Sequence, residues 1–276
     1  MKKDFHMHTL LSDGTPSPSE LVEACLNLGL QEISITDHDS LGSYPEVFAL
    51  IKNTSLRIIP GAELDCTLGD LEIHMLGLGL DIDNAALNDH LSQIQAARKK
   101  RAWEQAEAIN RFYGRNVVDL ANISSRCQTF MNPHLIHAMI DQGLFDQYEP
   151  PDRYKQAQQW MKKNITAQTV LRKPTVEKMI SMIHAAGGTA VLAHPGYYMN
   201  GYDITGMVAT LKEMGMDGLE VTYPYCQEGS REFPTRRHEQ EAIDFLRGLA
   251  ERYELSQTTG SDAHDLSQLR SFHMRA

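Results

Sequence analysis

The sequence predicts an α/β protein of the parallel-barrel type that carries a helical insertion, and three observations predict it. Short apolar runs of strand length alternate with amphipathic helical stretches. Nearly every such run leads to a His, Asp or Glu at or just beyond its end. Across residues 83–173 that rhythm gives way to long helical patterns with no ligand pair in strand context. Parallel barrels pack side chains inside and assemble their sites from loops at the C-terminal face, so polar residues in this position should converge in space.

Taken in order, residues 3–9 read as a first strand carrying His6 and His8, followed by the turn-rich loop Ser12-Asp13-Gly14-Thr15-Pro16. Ser17 is placed to cap a helix, with Pro18 in its first turn and Leu21, Val22, Ala24, Cys25 and Leu28 as its apolar stripe, up to Gly29. Residues 32–36 give a second strand ending in Asp37-His38-Asp39, and a short helix over 44–52 follows. A third strand, 56–60, delivers Glu63, and residues 71–80 form a buried strand carrying His74.

Residues 83–173 are read as a helical insertion, with the barrel domain formed by 1–82 and 174–276. The basic run Arg98-Lys99-Lys100-Arg101 is the solvated face of one of its helices. The barrel rhythm resumes with a helix from Thr175 to Gly187 and a strand over 189–193 that presents His194-Pro195-Gly196. A helix over 203–214, a strand over 218–222, a helix over 234–253 and a strand over 255–259 then lead to Gly260-Ser261-Asp262-Ala263-His264.

At 276 residues with 42% hydrophobic content the chain can bury a sizeable core. The net charge of −10 argues against a broad basic surface for long nucleic acid. Cys25, Cys66, Cys127 and Cys226 are scattered, without a Cys-x-x-Cys pair, as fits a reducing cytoplasm. A secretory leader would remove His6 and His8, and no apolar run reaches the roughly 18 residues of a membrane helix.

His6 and His8 project to one side of an extended strand, so they can grip one ion together. Glu63, His74, His194, Asp262 and His264 add imidazole and carboxylate donors suited to zinc, manganese or iron. The order His-x-His, Asp, Asp-His, Glu, His, His-Pro and Asp-x-His resembles the PHP (polymerase and histidinol phosphatase) phosphoesterases over nearly the whole chain.

That resemblance implies a distorted seven-stranded TIM-like barrel with two or three divalent cations, and an 83–173 insertion that covers the active site. His6, His8, Glu63 and Asp262 would hold one, Glu63 with His74 and His194 a second, and Asp13, His38 and His264 a third. Such clusters supply a water-derived nucleophile, orient phosphorus for in-line attack and neutralise the leaving oxygen. Asp262 and His194 are the candidates for proton donation, while Asp37 and Asp39 are read as supports for neighbouring ligands.

The expected substrate is a small phosphorylated metabolite: a nucleotide, a sugar phosphate, or a cyclic phosphate opened and then dephosphorylated. A 5′-3′ exonuclease acting on short oligonucleotides and a histidinol-phosphatase-like activity are the alternatives. His134, Arg172 and Arg231 are the candidate substrate contacts. Related nucleotide phosphatases carry Arg-Pro-His and a loop His where this chain has Asn132-Pro133-His134 and Tyr225-Cys226, and Asn lacks the planar cationic fork of Arg.

Overall fold

The computed structural model describes residues 2–226 and 232–274. The chain divides into two compact units, one formed by residues up to 90 and from 173 onward, the other by 91–172. Among the described residues no helix is long and apolar enough to cross a membrane.

The first unit is mixed α/β. Strands β1 (Lys3–Asp4), β2 (Glu32–Ile33) and β3 (Arg57–Ile58) pair in parallel, with helices α1 (Pro18–Asn27) and α2 (Tyr44–Ile51) between them. Strands β4 (Gly61–Leu68) and β5 (Leu71–Leu78) form an antiparallel hairpin around Gly69, whose φ of 60° suits glycine. Helix α3 (Ala85–Tyr113) leads to α4 (Leu120–Ser124), α5 (Asn132–Asp141) and α6 (Pro150–Asn164). After these come α7 (Val176–Ala185), β6 (Thr189–Leu192), α8 (Ile204–Glu213), β7 (Gly218–Thr222), α9 (Arg236–Arg252), β8 (Ser256–Thr259) and α10 (Leu266–His273).

Among the described residues the strands form two sheets, ordered β1-β2-β3 and β4-β5-β6-β7-β8, rather than one closed sheet. Nor are all strands parallel: β5 runs antiparallel to both β4 and β6, because the tight β4–β5 turn leaves no room for a crossover helix. Glu63 therefore lies inside β4 and His74 in the middle of β5, not beyond strand ends.

Isolated bridges join the two sheets where candidate ligands sit. On one side the Phe5 amide donates to the Thr259 carbonyl (2.9 Å), Met7 bridges Ala263, and the Asp262 amide donates to the His6 carbonyl (2.8 Å). On the other, His38 bridges Glu63, whose amide donates to Thr36 (3.2 Å). The chain thus leaves regular ladders at the places where two ligand-bearing segments meet.

Local chemistry accounts for the elements. Ser17 Oγ accepts from the Glu20 amide at 3.2 Å and Glu20 accepts from the Ser17 amide at 2.8 Å, a reciprocal cap with Pro18 as the first helical residue. Opposite residues of an antiparallel pair share a face, so the β4–β5 register puts Leu64 with Met75 and Cys66 with Ile73 on one face. Glu63, Asp65 and His74 share the other with Leu76, which packs against Leu78, Val191 and Ala193.

Tyr44 ties two of these segments. It is fully buried, donates to the Ile35 carbonyl at 2.5 Å and accepts from the Gly61 amide at 2.6 Å. Tyr44→Phe strands both backbone groups and is expected to cost about 1–3 kcal/mol in denaturant unfolding, the usual penalty of an unsatisfied buried partner. An unchanged unfolding midpoint would show that neither bond matters.

The second unit has its own core, in which Ile109 of α3, Ile136 and Met139 of α5, Phe145, and Ala157 and Met161 of α6 are buried together.

Candidate metal centre

The site is organised around the Glu63 carboxylate, which is 1% exposed. Its Oε2 lies 3.2 Å from His6 Nε2, 3.3 Å from His8 Nε2 and 3.3 Å from His38 Nε2. Its Oε1 lies 2.7 Å from His74 Nδ1 and 3.0 Å from His194 Nε2. One carboxylate thus turns each of its oxygens toward a different set of imidazoles.

Among the described residues four groups of donors have ligand atoms within 4.8 Å of one another: His6, His8, Glu63 and Asp262; Glu63, His74 and His194; His8, Asp13, His38 and His264; and His38, Asp65 and His74. All nine candidate ligands from the sequence fall in the first three groups. Two members arose differently: His8 also faces Asp13, and Asp65 was not anticipated.

The donor arrangement fits divalent cations. His6 Nε2, His8 Nε2, Asp13 Oδ1 and Asp262 Oδ1 are buried without a hydrogen-bond partner. Yet Asp262 Oδ1 lies 3.3 Å from His6 Nε2 and 2.9 Å from His8 Nε2. Ligands about 2.0–2.1 Å from a tetrahedral cation are separated by about 3.3 Å, so such spacing without bond alignment suits a shared ion.

Burial works against ionisation of Glu63 and Asp262. The imidazoles of His38, His6 and His74 about the first, and of His6 and His264 about the second, nevertheless hold both carboxyls well below the usual range. Burial also pulls His8 down, but the Asp262 and Glu63 carboxylates beside it outweigh that effect and raise the imidazole to about 10. The carboxylates likewise favour the protonated forms of His6 and His74. A cation that enters must displace protons, so its affinity rises with pH.

Two of the nine candidate ligands sit in left-handed backbone, His194 at φ 33° and Asp262 at φ 48°. Non-glycine residues adopt this conformation at a cost and do so where the surrounding structure fixes them. The fixing groups are visible. Glu220 of β7 accepts from the His194 amide at 2.7 Å, and the Tyr223 hydroxyl donates to Asp262 Oδ2 at 2.7 Å.

Glu220 is the main residue missed in the sequence. Fully buried, it lies 3.0 Å from His6 Nδ1, which leaves His6 Nε2 to face Glu63. A carboxylate behind a ligand imidazole fixes its tautomer and raises its basicity. Gly260 is required here, since a side chain at that position would collide with Glu220 and with His6. Glu220→Gln is expected to weaken metal loading about 10–100-fold, as removal of such partners usually does, measured by titration with manganese. Unaltered loading would leave Glu220 as packing alone. The available signal was one acid in an otherwise apolar strand, Gly218-Leu219-Glu220-Val221.

Other supports surround the candidate ligands. Asp37 accepts from the Thr9 amide, Thr9 Oγ1 and Ser12 Oγ, each at 2.7 Å, and so pins the loop that carries Asp13. Asp65 lies 3.6 Å from both His38 Nδ1 and His74 Nε2 and is paired with Lys173 Nζ at 2.8 Å.

Of the candidate substrate contacts, His134 and Arg172 belong to the second unit. The His134 ring accepts from the Met131 amide at 3.0 Å, closing the first turn of α5, and Arg172 is exposed. Arg231 lies outside the described residues. Tyr225, where a phosphate-binding His was expected in relatives, is fully buried and accepts from the Gly196 amide at 2.9 Å, so it supports the His194 turn.

An α/β scaffold that gathers carboxylates and imidazoles at one buried Glu describes a class, the metal-dependent hydrolases. Residues 4–171 match the PHP domain, and the chain belongs to that family. It is 28% identical over 264 residues to the 5′-3′ exoribonuclease Rnm of Escherichia coli, covering 95% of this chain and 84% of that protein. It is 25% identical over 271 residues to a 3′,5′-nucleoside bisphosphate phosphatase of Chromobacterium violaceum, covering 95% and 86%. The solved structure of a proposed metal-dependent phosphoesterase from Bifidobacterium adolescentis superposes with a TM-score of 0.74 at 25% identity, covering 100% of this chain and 96% of that one. The chain is accordingly a phosphoric ester hydrolase of a metal-dependent family.

Proposed function

We propose that the protein removes phosphate from a small phosphorylated metabolite of the nucleotide type, using two or three manganese, zinc or iron ions. The observation that carries this reading is the division of the Glu63 oxygens between His6, His8 and His38 on one side and His74 and His194 on the other. A carboxylate so placed can lie between two cations and screen their repulsion. Bound there, the ions would supply a nucleophile at neutral pH and stabilise charge on the phosphoryl group.

In this reading His6, His8, Glu63 and Asp262 hold the first ion, Glu63, His74 and His194 the second, and Asp13, His38 and His264 the third. The two bridged sheets form a distorted barrel around them. Asp262, ionised and oriented by the Tyr223 hydroxyl, and His194 are the groups that relay a proton to the leaving alcohol, taking it first from the attacking water. His134, Arg172 and Arg231 are proposed substrate contacts, with residues 83–173 as the insertion that selects substrate. Nucleotide-directed relatives favour a nucleotide, while Asn132 and Tyr225 argue for phosphate contacts of a different kind from theirs.

The test is phosphate release from mononucleotides, nucleotide 3′,5′-bisphosphates, sugar phosphates, histidinol phosphate and five-membered cyclic phosphates, with manganese and zinc compared. Release from a nucleotide that a chelator abolishes is expected. Release from none of them by metal-loaded protein would overturn the reading. Hydrolysis of short RNA is the second reading, favoured by the charge of the helical unit described next.

A further inference from the structure

The net charge of −10 conceals a division. Residues 91–172 hold twelve Lys and Arg against seven Asp and Glu, a formal +5, so the remainder carries −15. A basic unit within an acidic chain is the electrostatic footprint of a polyanionic partner. Three of the twelve cations lie beside aromatic residues at two helix ends. Arg111 precedes Phe112 and Tyr113 at the end of α3, and Trp160 precedes Lys162 and Lys163 at the end of α6.

Between these ends lies a groove of about 550 Å³ whose lining includes Tyr113, Tyr148, Gln156, Gln159, Trp160 and Lys163. Phe112 is 59% exposed and meets the Trp160 ring edge to face at 5.0 Å, while Tyr113 lies 5.2 Å from the same indole. Phe112 and Tyr148 are exposed, while Tyr113 and Trp160 are partly buried against the core of the unit, and exposed large aromatic rings beside a groove mark an interaction surface. Their faces suit stacking of any nucleobase, the glutamine amides offer both donors and acceptors to base edges, and the ammonium of Lys163 suits a phosphate.

We propose that this groove on the helical unit binds single-stranded nucleic acid, using no residue of the metal centre. A neutral sugar would also stack on the rings, and a second copy of the chain would also cover them. Neither accounts for the surplus of twelve basic residues over seven acidic ones.

The chain has two tryptophans, so Trp103→Phe leaves Trp160 as sole reporter within the full-length protein. Its fluorescence is followed while RNA of about twelve nucleotides, a length within the usual range of single-strand sites, is added in the presence of a chelator. Chelation prevents hydrolysis, so failure to bind RNA is read separately from failure of the phosphoesterase reading. Saturable quenching is expected, weakening as salt rises. Phe112→Ala and Lys163→Glu, each made in this background, should weaken it about fivefold or more, the lower end of what one stacked base contributes.

The proposal is overturned if RNA gives no quenching, if both variants bind as the parent does, or if a neutral oligosaccharide quenches and RNA does not. It is also overturned if sedimentation shows a dimer that Phe112→Ala dissociates while RNA affinity stays unchanged.

Discussion

Glu63→Gln is expected to lower kcat by about a thousandfold or more while leaving the fold intact, because several kcal/mol of transition-state stabilisation rest on the ions it would bridge and each 1.36 kcal/mol is tenfold. Glutamine preserves the shape of the side chain in β4. It removes the negative charge that faces His6, His8 and His38 with one oxygen and His74 and His194 with the other. A neutral amide cannot screen two cations from each other, so metal content should fall together with turnover. Elemental analysis beside steady-state kinetics checks both, and near-normal turnover would remove Glu63 from the centre of the account.

The second large effect is expected from Asp13→Asn, at about a hundredfold in kcat, the upper end for loss of one group that tunes a metal site. Asp13 Oδ1 is buried without a hydrogen-bond partner and lies 3.4 Å from His264 Nε2 and 3.9 Å from His38 Nε2. Burial works against its ionisation, but the imidazoles of His38 and His264 hold the carboxyl far below its usual value. The loop around it is pinned by Asp37 through Thr9 and Ser12, independently of Asp13 itself. Unfolding temperature should therefore change much less than activity. His264→Ala, on a side chain 33% exposed, should reproduce the loss with still less effect on folding. Full turnover in either variant would dismiss the third metal position.

The candidate residues that the structure brings together were legible because the chemistry demands few residue types, and each is set against a strongly apolar segment. His6-Met7-His8 follows a strand start, His194 is followed by Pro195-Gly196, and Asp262 and His264 follow Gly260. Side chains whose role is to hold those ligands were less legible, since any buried acid can be satisfied locally. Glu220 and Asp65 acquire meaning only when β7 comes beside His6 and when the hairpin register sets Asp65 opposite His74.

Strand direction was misread for a related reason. Leu68-Gly69-Asp70-Leu71 carries a hairpin turn signal, but the ligands before and after it suggested one repeating parallel pattern. The basic character of residues 91–172 was likewise present in the sequence and was lost by summing charge over the whole chain.

The most direct measurement is an anomalous difference map at the manganese absorption edge from crystals grown with that ion. The account predicts peaks on both sides of the Glu63 carboxylate, one among His6, His8 and Asp262 and one beside His74 and His194. A map from active crystals with no peak touching Glu63 would contradict it.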